Sequence, residues 1–197
     1  MACQTNAQTY TIETSLGNIK IQLYDKTPLH KANFEKLVAE QRYDSVLFHR
    51  IIKGFMIQTG DLSTKPHADT AQADTTLIPA EIVPEYFHKK GAIAAARMGD
   101  HVNPEKKSSP TQFYIVQGRP FSDEEIAYMQ QRTGKTWTPE QKEAYRALGG
   151  AIHLDGDYTV FGEVVEGLDV VDKIAAVPTG AGDFPRADVR ILTIKKD

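Results

Sequence analysis

The chain has 197 residues, 23 basic against 26 acidic side chains and a net charge of -3, so it lacks the long basic stripe needed to bind a phosphate backbone. Nucleic acid is therefore not an expected partner. A hydrophobic share of 41% with 25% charged residues suits one soluble globular domain spanning 1–197, and a single cysteine, Cys3, rules out both an intrachain disulfide and a cysteine-based zinc site.

The opening MACQTNAQTYTIETS has neither the basic start nor the apolar stretch of a secretory signal, and residues 1–8 are expected to be a disordered tail. No run of eighteen apolar residues exists, so no membrane span is expected. As written the chain reads as cytoplasmic. Cys3 follows the small residue Ala2 and precedes a polar stretch, as a lipid-modified cysteine does once its signal peptide is removed. A periplasmic or lipid-anchored location therefore stays open.

QTYTIETS and GNIKIQLYD are rich in β-branched residues, alternate partly in polarity and are joined at Leu16, Gly17 and Asn18, which predicts a hairpin. Thr27 is a plausible N-cap with Pro28 at the first helical position, and Leu29, Ala32, Phe34, Leu37 and Val38 share a face to about Glu40. In YDSVLFHRIIKGFMIQTGD two strands should meet at Gly54, with Val46, Phe48, Arg50 and Ile52 on one side. From Leu62 to Lys90 the chain reads mainly as a surface excursion, with IPAEIV as a short ordered piece. GAIAAARM and TQFYIVQG are strands separated by the loop GDHVNPEKKSSP. HLDGDYTVFGEVVEG reads as a hairpin turning at Asp155-Gly156, followed after Gly167 by the helix LDVVDKIAAV and a closing strand ADVRILTIKK. Many strands and no βαβ rhythm predict a mainly β fold, an antiparallel sheet or closed barrel.

One stretch breaks the pattern. Within 119–150, Ser122 with Glu125 and Thr138 with Gln141 have capping-box spacing, Pro139 suits a first helical position, and Gly149-Gly150 supplies a stop. An inserted helical hairpin at about 122–149 follows, with Ile126, Met129, Tyr145 and Leu148 as its apolar residues. The insert emerges near Tyr114 and His153; it either walls a groove there or merely covers the sheet.

Six histidines show no HExxH or HxH, so no metal site is expected, and neither GxSxG nor a P-loop is present to support a hydrolase or nucleotide site. Arg50 stands out as a charge among apolar strand residues, where it needs either a salt-bridge partner or a ligand.

FHRIIKGFMIQTGD closely resembles the signature of the cyclophilins, the peptidyl-prolyl cis/trans isomerases, and the likeness continues in GAIAAAR, TQFYIV and LDGDYTVFGEVVEGLDVVDKI. It covers most of the chain from about Tyr10 to Lys195. The resemblance implies a closed eight-stranded antiparallel barrel capped by two helices, and isomerisation of X-Pro bonds in unfolded or flexible segments without a cofactor. It puts the catalytic arginine at Arg50 and the proline pocket at Phe55, Met56, Tyr114 and Leu154. Gln58 and Gln112 match polar substrate contacts, Ala96 and Arg97 match a pair whose backbone lines the peptide groove, and His153 and Tyr158 occupy two further groove positions. Strict alternation separates Phe55 from Gln58, so a bend near Gly54 is required. Tyr114 replaces the family's phenylalanine and brings a hydroxyl that needs a partner. His153 stands where many members have tryptophan, which implies weak cyclosporin binding. The alternative function is a binding module that holds proline peptides without catalysis.

Overall fold

The computed structural model describes residues 8–66 and 75–197. Cys3 and all of the expected tail except Gln8 lie outside them. Eight strands form one antiparallel sheet: β1 Thr9–Thr14, β2 Gly17–Leu23, β3 Arg50–Ile52, β4 Met56–Thr59, β5 Ala92–Ala95, β6 Phe113–Val116, β7 Val160–Glu166 and β8 Ile191–Lys196, in the order β3-β4-β6-β5-β7-β2-β1-β8. The sheet curls, and its two edges meet without a full ladder. Ser45 N–H donates to Ile191 O, Ile191 N–H to Val46 O and Phe48 N–H to Val189 O, stitching the seam. An exposed row of unpaired amides would otherwise remain along both edge strands.

Alternation explains the core. Ile51, Ile57, Ile93 and Ile115 point into the curl, where they share one buried core with Phe34 and Leu37 of α1 (Pro28–Ala39) and with Val171 and Ile174 of a later helix, Leu168–Ala175. On the other face of β3 to β6, a second apolar cluster gathers Met56, Ala92, Ala94, Tyr114 and Val116. Strands buried on both faces read as near-continuous apolar runs, as AIAA and FYIV do.

Three local readings need correction. Phe48 and Ile51 both belong to the inner core although they are three residues apart, so the alternation slips around His49 and Arg50 shares its face with Ile52, not with Phe48. The β1–β2 loop is the pair Ser15-Leu16, since Thr14 faces Gly17. HLDGDYTV forms no hairpin; Ile152–Leu154 is a single 3-10 turn, because the Asp155 carboxylate is drawn inward by four donors from other elements.

The start of α1 also differs from its reading. Thr27 does not cap it, for its hydroxyl donates to Tyr24 O; instead Glu81, from the excursion, accepts from the N–H groups of Leu29 and His30. His30 is buried and Leu29 exposed. The His30 ring bridges Glu81 (2.7 Å) and Ser108 (2.9 Å). This Ser-His-Glu chain is a fastener: Ser108 is 1% exposed and both Glu81 oxygens are already held by backbone amides.

The helical insertion is present as α2, Asp123–Thr133, and α3, Pro139–Ala147, each with its complete capping box, and the later helix Leu168–Ala175 is α4. Ile126 and Tyr145 are buried with Trp137 and Ile152 in a third apolar cluster, with Met129 packed against it, whereas Leu148 is exposed.

Candidate active site

Directly opposed residues of neighbouring strands share a face of the sheet. Arg50 pairs with Gln58, Gln58 with Tyr114 and Tyr114 with Ala94, so an arginine, a glutamine and a tyrosine form one row across β3, β4 and β6 on the outer face. Two residues along, Ile52, Met56 and Val116 make an apolar row on the same face.

The turn between β3 and β4 resolves the misplaced Phe55. Gly54 takes a left-handed φ of 78°, which a residue with a Cβ adopts only with strain, and Phe55 N–H closes the turn on Ile52 O. Freed from strand alternation, Phe55 packs against the outer cluster with Leu154, Tyr158 and Ala96. Its ring lies 5.1 Å from that of His153. Gln112 joins the row through its side chain, whose oxygen accepts from the Gln58 amide at 3.0 Å. Arg50, Met56, Gln58, Gln112 and Tyr114 thus share one face, and Phe55, Ala96, Leu154 and Tyr158 pack on the apolar cluster there. A cavity of about 470 Å³ opens beside the row, lined by Gln58, Gln112, Ala96, Arg97, Arg42 and Met98.

Arg97 does more than lend its backbone. Its side chain is 4% exposed, donates from Nε to Asp157 O at 2.6 Å, pairs with Asp100 at 2.7 Å, and lies 4.5 Å over the Tyr158 ring. It pins the loop that carries Tyr158. Ala96 has both backbone groups engaged, its N–H with Gln112 O and its carbonyl with Ser109 N–H.

Arg50 meets Asp183 at 3.5 Å, with both side chains 45% exposed. A pair so open to water is weak and leaves the guanidinium able to donate to another acceptor. Burial, with Tyr158 and Asp155 adding to it, pushes the Tyr114 phenol well above its ordinary range, so it stays protonated. Burial and then the neighbouring His88 push His153 down, which favours its neutral ring at pH 7.

Beneath Tyr114 lies a chain that sequence reasoning missed. The Tyr114 hydroxyl is 3.0 Å from His88 Nε2; His88 donates its Nδ1 proton and its backbone N–H to Asp155 Oδ1, each at 2.8 Å; Asp155 Oδ2 accepts from Trp137 Nε1 at 2.7 Å and from the Tyr145 hydroxyl at 2.5 Å. The only sequence signal for His88 was the need of a buried tyrosine hydroxyl for a partner.

The family model described as "Cyclophilin type peptidyl-prolyl cis-trans isomerase/CLD" matches residues 9–196. A putative bifunctional phosphatase/peptidyl-prolyl cis-trans isomerase of Streptococcus pyogenes is 37% identical over 94% of this chain, which spans only 38% of that protein's length. A peptidyl-prolyl cis-trans isomerase of Acinetobacter baylyi is 32% identical over 93% of this chain and 82% of its own. Among solved structures, a cyclophilin-type isomerase of Cryptosporidium parvum superposes with a TM-score of 0.70 at 22% identity, covering 97% of this chain and 98% of that one. The same protein has been solved in the presence of the dipeptide Ala-Pro.

Proposed function

The chain belongs to the cyclophilin-type peptidyl-prolyl cis/trans isomerases, and on that premise we propose how its residues divide the work. The reaction is rotation about the bond preceding proline. A peptide bond resists rotation because its nitrogen shares a lone pair with the carbonyl, and the barrier is about 18–20 kcal/mol. A gain of roughly five decades in rate needs about 7 kcal/mol of preferential binding to the twisted state, and no proton transfer.

As the amide twists, its nitrogen regains a localised lone pair. Arg50 is the donor to that lone pair: it stays charged, its planar guanidinium is directional, and nearly half of its side chain is open on the face shared with Gln58 and Tyr114. Phe55, Met56, Tyr114 and Leu154 hold the proline ring by apolar contact. Gln58 and Gln112, already joined to each other, orient the flanking carbonyl, and the backbone at Ala96 and Arg97 with His153 and Tyr158 lines the path of the chain. One side of the bond is clamped while the other turns. No group in this scheme is a cofactor.

The row of Arg50, Gln58 and Tyr114 carries this reading. Isomerisation of an X-Pro peptide by the natural chain and by Arg50→Ala tests it: kcat/KM should fall about 10²–10³-fold, the usual cost of removing one preorganised donor. An unchanged rate would return Arg50 to a salt-bridge role.

The substrates we propose are proline-containing segments of unfolded or flexible chains, the whole of 1–197 acting as one domain. Cyclosporin should inhibit weakly, since His153 offers a smaller and more polar surface than tryptophan. Potency equal to that on a tryptophan-bearing relative would contradict this.

A further inference from the structure

We propose that the inserted helices are the support of the proline pocket: through Asp155 and His88 they fix the Tyr114 hydroxyl, which makes His88 and Asp155 positioning residues for the isomerase. The inference rests on Tyr114 being the pocket floor.

The segment 151–155 lies between two apolar clusters. Ile152 belongs to the cluster of Trp137 and Tyr145, and Leu154 packs on the cluster of Met56 and Tyr114. The Asp155 carboxylate joins the two sides with its four bonds. The linker between α2 and α3 also grips this segment from outside, for Lys135 Nζ donates to Asp155 O and pairs with Asp157, whose other oxygen pairs with Lys106. The insertion therefore backs the wall carrying His153 and Leu154. It is a buttress and not a lid.

The chain of bonds has a direction. Asp155 can only accept, so a neutral His88 keeps its proton on Nδ1 and presents Nε2 as an acceptor. The Tyr114 hydroxyl must then donate to His88, which turns its hydrogen away from the proline ring. With that donor satisfied, a bound ring covers only the aromatic surface. Tyr114 is 4% exposed, so its hydroxyl is buried before any ligand arrives; were His88 unable to accept, the unsatisfied hydroxyl would turn its ring toward the pocket, a proline ring would have to displace it, and affinity would suffer.

The test is a double-mutant cycle on the full chain, with KM and kcat measured separately on an X-Pro peptide. His88→Leu should raise KM about tenfold in the natural chain and less than about twofold in the Tyr114→Phe background, where no hydroxyl needs a partner. His88→Gln, which can accept one bond, should recover most of the loss. Trp137→Phe keeps a ring in place and removes one donor; it should raise KM about threefold in the natural chain only, and it decides the matter if His88→Leu does not fold. Equal losses in the two backgrounds, or no rise in KM, would overturn the proposal by reducing the network to a fold determinant. Failure of the site reading looks different: Arg50→Ala would then leave kcat unchanged.

Discussion

Asp155→Asn should destabilise the protein by about 3 kcal/mol, and the figure follows from which donors can adapt. The carboxylate receives two bonds on each oxygen, from His88 N–H and Nδ1 on one side and from Trp137 and Tyr145 on the other. An amide must set its NH₂ against one of these pairs. On the first side the His88 ring can change tautomer but its backbone N–H cannot; on the second the Tyr145 hydroxyl can rotate but the indole cannot. Either way one obligate donor is stranded in a site that is 8% exposed, at about 1–3 kcal/mol, and the surviving bonds lose their charge assistance. Urea unfolding measures the loss, and Trp137 is the only tryptophan, so its fluorescence reports from within the network itself. The midpoint should fall with little change in m, and the melting temperature by about 6–12 °C for a domain of this size. A loss below about 1 kcal/mol would mean that the carboxylate is not the hub that its four bonds indicate.

Other perturbations should separate local from long-range effects. Arg50→Ala should cost less than about 1 kcal/mol of stability while activity collapses, because its pair with Asp183 is half exposed; calorimetry beside the peptide assay checks both. Thr138→Ala removes the cap of α3 and should cost about 1 kcal/mol in a melting experiment. His30 is lowered by burial, a push only partly opposed by Glu81, so the native state binds fewer protons than the unfolded chain just below pH 6.5. Its contribution is complete above that pH and is lost as pH falls through it; His49 and His153, lowered likewise, add in the same direction. The urea midpoint should therefore drop between pH 7.5 and 5.5, and His30→Gln should flatten the drop.

What the sequence determined by itself was local or repeated along the chain. Both capping boxes of the insertion are i, i+3 relations that close with near neighbours only, and both formed as expected. The period-2 pattern of the strands and the separated cyclophilin motifs carried the eight strands, and the motifs named the residues that we propose for the site. Tertiary structure decided whatever depends on partners far along the chain. Glu81 caps α1 from 51 residues beyond His30, and Asp155 binds His88 across 67 residues, two links that no spacing rule encodes. The slip at His49 turned Arg50 away from Phe48 because the same short segment must also stitch the seam to Ile191 and Val189, a demand visible only once the sheet has curled. Local hydrogen bonds are set by the chain's own geometry; bonds between distant groups exist only after folding has brought them together, and the setting of Tyr114 is made of bonds of the second kind.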